Sequence, residues 1–480
     1  MTRKAIIIAA ALALAAIGAE AKVSLPSFFS DNMVLQQKTN VAVWGTTDKN
    51  KKVTVAPSWT KKKYSAQPSD GGKWFIRIPT PEAGGPYSIT FSDGEKTTIG
   101  NVLIGEVWYC SGQSNMEMPM KGFRGQPVEY AADYIANAKP ARPIRMCTIG
   151  KKLSKSPLDT SKGSWTENTP EAVASTSATA YFFALKVQEA LDTPVGLLIS
   201  DWGGTPIEGW MNRETLEKEF KGEFDLSFLD DNTPLPEKGA AKKPCLLFNG
   251  QVHPLIPFTF KGMLWYQGED NRIRSEQYSR LQPAYVKMMR NLFQNPDAPF
   301  YFVQIAPYKY SNPDKFSSGY FYEMQEKTLS LIPGSGMAAT VDIGEKGTIH
   351  PCKKKQVGDR LALLALTKTY GIKGIEAESP SYKSVSFEDG TATVTMNVGP
   401  MGLSPIGREL PGFELAGEDR VFHPAVATVK GRNQVTVQSA DVPAPVAVRY
   451  CWRNYAEGSL YNCFGIPALP FRTDNWEREN

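Results

Sequence analysis

The chain has 480 residues, of which 41% are hydrophobic and 21% are charged, and its formal net charge is +5. Such a chain is long enough for roughly two to four globular domains with a large core. The weak, dispersed positive charge excludes a nucleic-acid-binding surface. Beyond the N-terminus no run is apolar for long enough to cross a membrane, so no membrane span is expected.

The N-terminus has the pattern of a secretory signal peptide. Arg3 and Lys4 precede an apolar run over residues 5–17, and Ala19 and Ala21 flank a single spacer residue. We therefore predict a signal peptide over residues 1–21, cleavage after Ala21, and export to the periplasm or the medium. A retained membrane anchor is the alternative, but no stop-transfer pattern follows the run.

Residues 22–100 are predicted to form a β-sandwich domain. Short runs of alternating polarity, such as residues 41–44 and 52–55, are separated by Gly, Asp, Asn and Pro. Alternation with a period of two, broken by turn residues, is typical of half-buried antiparallel strands.

Residues 101–371 are predicted to form an α/β domain with a parallel sheet. Apolar runs of strand length occur at 103–109, 195–200, 263–266, 301–305 and 338–343. Between them, apolar residues recur with helical spacing over 180–191 and 278–292. Strands that alternate with helices favour a parallel sheet covered on both faces, which binds ligands at the carboxyl ends of its strands.

Residues 372–480 return to strand-like patterns at 384–387, 391–396 and 434–438, which predicts a C-terminal β-rich segment. Six cysteines are distributed along the chain, and none has metal-site spacing. Cys451 and Cys463 could close a short disulfide loop, or all six could stay reduced in a core that needs no staples.

Ser114 is a candidate nucleophile because it follows a buried strand and stands two residues after Gly112. A hydroxyl in this position faces the edge of the sheet where ligands bind. The competing interpretation is structural. Ser114 and Glu117 also fit the S-x-x-E capping box that opens many helices.

The next two strands end in groups that could hold an oxyanion. Gly203 and Gly204 follow the strand at 195–200, and glycines let backbone N–H groups approach a reacting oxygen closely. Gln267 and Asn271 follow the strand at 263–266 and could donate side-chain amides to the same oxygen. Ordinary turn chemistry would explain both segments equally well.

His350 is the best candidate for a general base. The chain has only three histidines, and His350 alone follows the last predicted strand of the parallel series, on the edge that carries Ser114. His253 precedes a strand and His423 lies in the β-rich segment, so both are poorer partners for the serine.

The four motifs together resemble the sialate O-acetylesterase family of the SGNH hydrolase superfamily. The matching segments are Gly112-Gln113-Ser114-Asn115-Met116, Trp202-Gly203-Gly204-Thr205, Trp265-Tyr266-Gln267-Gly268-Glu269 and Ile349-His350-Pro351. The resemblance runs from about residue 27 to the end of the chain. It implies a flavodoxin-like catalytic domain, no metal or organic cofactor, and an acyl-enzyme mechanism on an O-acetylated sugar, with Ser114 as nucleophile and His350 as base.

The chain departs from the superfamily pattern at the orienting acid. The superfamily normally has an aspartate three residues before the histidine, where this chain has Gly347. Loss of that acid can cost on the order of 10⁴ in turnover when nothing replaces it. Asp342, Glu345 or a backbone carbonyl are the substitutes that the sequence suggests.

Three functions fit these motifs. The first is deacetylation of sialic acid, the second is deacetylation of xylan or another polysaccharide, and the third is glycan binding by a protein whose esterase site has decayed. The motifs specify ester chemistry and say little about the sugar. Trp108, Trp202, Trp210 and Tyr266 could form a stacking wall for a sugar ring, or they could belong to the core.

Overall fold

The computed structural model describes residues 23–48 and 51–477. The predicted signal peptide, residues 1–21, therefore lies outside the described residues. Within the described ranges, no helix combines the length and the apolar character that a membrane crossing requires.

The N-terminal part of the described chain consists of strands. They are β1 (Val34–Gln36), β2 (Asn40–Thr46), β3 (Val53–Pro57), β4 (Tyr64–Ala66), β5 (Lys73–Pro79), β6 (Gly84–Ser92) and β7 (Lys96–Gly112). β2 pairs with β5, while β1, β7, β6, β3 and β4 lie side by side in that order. Val43 of β2 and Val55 of β3 belong to one buried cluster, so the two groups of strands share a core.

β7 belongs to two structural regions at once. Its first half pairs antiparallel with β6, from Lys96 to Ile104. Its second half, from Glu106 to Gly112, is the central strand of the parallel sheet. The domain boundary predicted between residues 100 and 101 falls inside this strand.

The middle of the chain alternates strands and helices, as predicted. The strands are β8 (Ile144–Thr148), β9 (Trp165–Thr166), β10 (Val195–Asp201), β11 (Gly262–Tyr266), β12 (Phe300–Val303) and β13 (Ser335–Ala338). The helices are α1 (Ser114–Glu117), α2 (Ala131–Ala136), α3 (Pro170–Ser175), α4 (Ala178–Leu191), α5 (Arg213–Glu219), α6 (Ser275–Leu292), α7 (Ser317–Leu331) and α8 (Lys354–Leu364). Six strands run parallel in the order β13-β12-β11-β7-β10-β8, and β9 adds an antiparallel edge.

Helices cover both faces of this sheet. Neighbouring residues of a strand point to opposite faces, so each strand contributes to both layers of the core. Tyr109 of β7 belongs to the cluster that includes Tyr285 of α6. Trp108 belongs to a second cluster with Phe183 of α4 and Leu361 of α8. Both faces are therefore apolar, which explains why the strands appear in the sequence as continuous hydrophobic runs.

The last parallel strand is displaced from its predicted position. The run at 338–343 predicted a strand, but β13 ends at Ala338. Val341 and Ile343 are nonetheless buried. The hydroxyl of Thr340 donates to the carbonyls of Gln304 and Ile305, which fixes an irregular segment there. The apolar residues of this segment are buried, but the segment does not continue the strand pairing of β13.

The C-terminal part is β-rich, as predicted, and most of its buried apolar residues form a third core cluster, which Val341 of the middle region joins. Its strands are β14 (Ser381–Glu388), β15 (Thr391–Asn397), β16 (Leu403–Ser404), β17 (Phe413–Ala416), β18 (His423–Pro424), β19 (Val426–Lys430), β20 (Gln434–Gln438), β21 (Ala447–Tyr450), β22 (Tyr461–Asn462) and β23 (Phe471–Arg472). They form sheets in the orders β14-β15-β20-β19, β18-β17-β21-β23 and β16-β22. All six cysteines lie in the described ranges and are unpaired, so the Cys451–Cys463 bridge is not formed.

Candidate active site

The end of β7 places Ser114 at the carboxyl edge of the parallel sheet. Gly112 has φ +144°, and a Cβ atom there would lie 2.1 Å from the carbonyl oxygen of Tyr266 at the end of β11. Only glycine fits this close approach. The backbone N–H of Gln113 then donates to the same carbonyl at 2.9 Å, so the turn that presents Ser114 is held against β11.

Ser114 is not a helix cap. It is the first residue of α1, the cap position is occupied by Gln113, and no side chain caps the helix. The carboxylate of Glu117, which a capping box would direct back to the helix start, accepts a hydrogen bond from the N–H of Gly203 instead. The capping box that competes with a catalytic interpretation of Ser114 is therefore not formed.

Gly203 lies directly against Ser114. A Cβ atom at Gly203 would be 3.2 Å from the Cβ of Ser114, which is a tight contact, so glycine lets this backbone lie near the serine without a shift of its neighbours. The Gly203 N–H donates to Glu117 Oε2 at 2.5 Å, and Glu117 Oε1 pairs with Lys151 Nζ at 2.5 Å. Gly204, with φ +66° and open space around it, completes the turn.

His350 is half-buried beside a loop from another part of the chain. Its Nδ1 lies 2.7 Å from Oε1 of Gln126, and the ring of Phe123 packs edge-on at 5.3 Å. Burial, helped by the positive charge of Lys354 and opposed by Glu117, lowers the pKa of His350 to about 4. His350 is accordingly neutral at neutral pH.

Neither carboxylate suggested by the sequence orients His350. Asp342 receives two hydrogen bonds from the guanidinium of Arg360, at 2.8 and 2.6 Å. Glu345 accepts the backbone N–H of Cys352 at 2.6 Å. The acceptor at Nδ1 is the carboxamide of Gln126, which stands 224 positions from His350 in the chain.

Asn115 joins the serine turn to the histidine loop. Its Nδ2 donates to the carbonyl of Ile349 at 3.0 Å and to Oε1 of Glu269 at 2.6 Å. Asn115 directly follows Ser114, and Ile349 directly precedes His350. A hydrogen bond therefore joins the chain neighbours of the two predicted catalytic residues, so Ser114 and His350 lie on adjacent segments.

A buried ionisable pair supports Asn115. Nζ of Lys354 donates to Asn115 Oδ1 at 2.7 Å and to the carbonyl of Pro351 at 2.9 Å. Burial lowers the pKa of Lys354 to about 7 and raises the pKa of Glu269. Every polar atom of the Asn115 side chain is thus satisfied, and its orientation is fixed.

Gln267 and Asn271 are used elsewhere. Gln267 Nε2 donates to Asn271 Oδ1 at 2.6 Å and to the carbonyl of Thr205 at 3.2 Å. Asn271 Nδ2 donates to Glu208 at 2.9 Å, and Asn271 Oδ1 also accepts the N–H of Ile207. Both side chains are fully buried. They tie the loop after β10 to the loop after β11, and the structure does not bring their donors to Ser114.

The aromatic residues near the motifs divide into two groups. Trp108, Trp210 and Tyr266 are completely buried and belong to the core. Trp202 is partly exposed, and the ammonium of Lys151 lies 5.3 Å from its ring. Of the four proposed stacking residues, only Trp202 is placed to meet a ligand.

Three residues of the site escaped prediction. The sequence patterns assign Glu117 only to a capping box and give no role to Gln126 or Lys354. Lys354 stands four residues after His350, and this short spacing is the signal that could have placed it at the site. Gln126 lies in a loop without a recognisable pattern.

Comparisons with known proteins identify the family. No family model matches the chain. A sialate O-acetylesterase of Rattus norvegicus is 26% identical over 510 residues, 93% of each chain, and one of Homo sapiens is 27% identical over 389 residues, 74% of this chain and 72% of that one. The crystal structure of a carbohydrate acetylesterase from Xanthomonas citri is 33% identical with a TM-score of 0.84, over 95% of this chain and 100% of that one. The chain belongs to the sialate O-acetylesterase family and is a carbohydrate esterase that acts on O-acetyl groups.

Proposed function

We propose that the chain is an exported serine esterase of the SGNH type that removes O-acetyl groups from sialic acid. The curated relatives are named for that substrate. The strand order β10-β7-β11-β12-β13 supports the fold assignment, because in chain order it is 2-1-3-4-5, the flavodoxin-like order. β8 extends the edge next to β10.

The observation that carries the proposal is the pair of hydrogen bonds around His350. Asn115 binds the loop of His350 to the turn of Ser114. The Gln126 oxygen accepts from Nδ1, so the proton resides on Nδ1 and Nε2 keeps its lone pair. A neutral imidazole with a free Nε2 is the form that a general base requires.

The proposed reaction is acyl transfer through an acetyl-enzyme. His350 Nε2 takes the proton of Ser114 as the serine oxygen attacks the acetyl carbonyl, and the sugar oxygen leaves with the proton that His350 returns. A water then attacks the acetyl-serine and gives a proton to His350, which passes it to Ser114 Oγ as that oxygen leaves and acetate is released. Gln126 keeps the imidazole in one tautomer through both half-reactions.

The oxyanion is held by the backbone N–H groups of Ser114 and Gly203. In the resting arrangement Glu117 occupies the Gly203 N–H. The acyl oxygen must take that position, so we propose that Glu117 releases Gly203 while it keeps its ion pair with Lys151. Gln267 and Asn271 then hold the surrounding loops and do not contact the substrate.

Acetate release tests the proposal. Native protein and the Ser114→Ala and His350→Ala variants are incubated with 9-O-acetylated sialic acid, and acetate is measured. We expect release by the native protein and a loss of roughly 10³-fold or more in both variants, the usual effect of removing a member of such a catalytic unit. His423→Ala is the matched control, because His423 lies in the C-terminal sheets.

Two outcomes would redirect the proposal. Full activity of His350→Ala would remove the base and with it the mechanism. Glycan binding without acetate release by the native protein would favour the decayed binding protein.

An acetylated polysaccharide is the second candidate substrate. The Xanthomonas citri carbohydrate acetylesterase is 33% identical, a higher identity than the 26% and 27% of the sialate O-acetylesterases of Rattus norvegicus and Homo sapiens. Acetylated xylan is therefore assayed beside the sialic acid ester. Faster release from xylan would move the substrate assignment and leave the mechanism unchanged.

Export has its own measurement. The apolar run before Ala21 supports a cleaved signal peptide. N-terminal sequencing of protein from the periplasm or the medium should begin at Lys22.

A further inference from the structure

A cavity of about 620 Å³ lies beside the loop that carries Gln126. Its lining combines the three tyrosines Tyr130, Tyr134 and Tyr181 with amide and charged side chains, among them Asn168, Arg142 and Lys355. Aromatic faces next to polar groups suit a sugar, because a pyranose has apolar C–H faces and a rim of hydroxyls.

Tyr130 stands out in this lining. Its side chain is 55% exposed, although it is a large aromatic group. Its backbone has φ +62° and ψ +10°, a left-handed conformation that is unusual for a bulky residue. Tyr130 thus exposes an aromatic ring at a position whose backbone conformation favours glycine. Backbone strain of this kind clusters at ligand sites.

The cavity is next to the catalytic histidine. Tyr130 is four residues from Gln126, which limits their Cα separation to about 14 Å. Glu129 N–H donates to the carbonyl of Cys352 at 3.0 Å, two residues after His350. Lys355, which lines the cavity, directly follows the buried Lys354 of the site. The side of the cavity that Tyr130 lines therefore lies next to the segment that follows His350.

The charges of the cavity favour an uncharged sugar. Its two cations are both paired, Arg142 with Glu189 at 3.1 Å and Lys355 with Asp359 at 2.6 Å. The carboxylate of an acidic sugar would have to compete with these existing partners. Hydroxyl groups, which both donate and accept, can join the pairs without breaking them.

We propose that this cavity is a second sugar subsite, in which the exposed ring of Tyr130 stacks on an uncharged pyranose of the glycan whose acetyl group is at Ser114. The proposal rests on the proposed esterase function and extends it from a single sugar to an oligosaccharide. It predicts that the preferred substrate has an uncharged unit next to the acetylated one.

Binding is measured first, without turnover. The Ser114→Ala protein is titrated calorimetrically with xylohexaose, cellohexaose and sialyllactose. We expect binding of at least one neutral hexasaccharide, and we expect Tyr130→Gly in the same background to weaken it roughly three- to tenfold, the range of one aromatic stacking contact. Tyr130→Phe keeps the ring and should retain the affinity.

Tyr130→Gly separates recognition from folding. Glycine adopts the observed φ freely, so the variant should melt at or above the temperature of the parent. Phe464→Ala is the matched control, since it removes another partly exposed aromatic ring, in the C-terminal region, and should not change binding. Equal affinity of Tyr130→Gly and parent, or no binding of either neutral hexasaccharide, would overturn the subsite. Binding of sialyllactose alone would overturn its assignment to an uncharged sugar.

Turnover separates this proposal from the esterase proposal. We expect the kcat/KM ratio of acetylated xylo-oligosaccharide to 4-nitrophenyl acetate to fall in Tyr130→Gly, and to stay constant in Phe464→Ala. If native protein cleaved neither ester, the esterase mechanism would fail, while the titrations would still decide the subsite.

Discussion

At the scale of single residues, a neutral carboxamide is the hydrogen-bond partner of His350, where the sequence suggested a carboxylate or a backbone carbonyl. Gln126 accepts from Nδ1 of His350, which fixes the tautomer. It supplies no full negative charge for the imidazolium that forms during attack. Glu117, whose negative charge raises the pKa of His350, can compensate for this missing charge.

Substitutions of Gln126 test its role as the hydrogen-bond acceptor for Nδ1 of His350. Gln126→Ala removes the acceptor of a charged imidazolium, a hydrogen bond of about 1.5–3 kcal/mol, so kcat should fall roughly ten- to hundredfold with little change in KM. Gln126→Glu should raise the pKa of His350 and move the acid limb of the kcat/KM profile to higher pH. A structural glutamine such as Gln277, in Gln277→Ala, serves as control. Identical pH profiles for native protein and Gln126→Glu would count against the orienting role.

The pH profile of the native enzyme follows from the burial of His350. Because burial lowers its pKa to about 4, kcat/KM should remain high down to about pH 5 and fall through pH 4. In the unfolded chain the pKa returns to about 6.5, so the unfolded state binds more protons between these values. Stability should therefore decrease as the pH falls from 6.5 to 4.

Glu117→Gln should shift the acid limb of the kcat/KM profile to lower pH, and a shift to higher pH would refute the assignment of that limb to His350.

At the scale of elements, α4 and α8 pack so closely that one position admits only glycine. A Cβ atom on Gly358 of α8 would lie 2.6 Å from Phe182 Cβ and 2.8 Å from the backbone oxygen of Thr179. Backbone atoms of α4 cannot move aside cheaply. This contact holds the helix that follows His350 against the sheet.

Gly358→Ala should therefore destabilise the protein. Alanine favours a helix by about 0.5–1 kcal/mol over glycine, but overpacking against backbone costs about 1–3 kcal/mol and should prevail. Thermal unfolding should show a lower Tm. Gly347→Ala is the matched control, because a Cβ atom there meets nothing within 4 Å. A Tm at or above that of the native protein for Gly358→Ala would contradict the packing argument.

Periodicity predicted the elements of this chain better than their contacts. The strands at 195–200 and 263–266 lie within β10 and β11, and the helical spacing at 278–292 lies within α6. The segment 338–343 misled, because burial there comes from loop packing. The positions of Ser114 and His350 could be predicted from the order of the strands. The contact between Gln126 and His350 could not, because the two residues are 224 positions apart and local patterns do not encode the path of the Gln126 loop.

At the scale of the whole molecule, the C-terminal sheets support the loop after β12. Asn454 Oδ1 accepts from Ser317 and Ser318 at the start of α7, and Tyr308 N–H donates to the carbonyl of Asn454. The N–H of Gly458 donates to Val341, which precedes the histidine loop. The C-terminal region thus contacts the segments that lead into the active-site edge.

A buried ion pair closes that region. Arg449 and Asp474 are each 1% exposed and are joined by hydrogen bonds of 2.9 and 3.0 Å. Asp474→Asn leaves a buried guanidinium without its full counter-charge, so the free energy of the first unfolding transition should fall by about 3–5 kcal/mol. Lys38→Ala breaks an exposed pair with Glu82 and should leave that free energy almost unchanged. Equal effects of the two substitutions in calorimetry would argue against a structural role for the buried pair.

The double membership of β7 limits how this enzyme can be dissected. A recombinant fragment starting at residue 101 would begin in mid-strand, unpair Val102 and Ile104 from their neighbours, and uncover the apolar side chains of a shared interior. Engineering by module exchange should therefore treat residues 23–371 as one inseparable piece. The C-terminal region is joined to this piece as well, because its core cluster includes Val341 and its Asn454 accepts hydrogen bonds from Ser317 and Ser318.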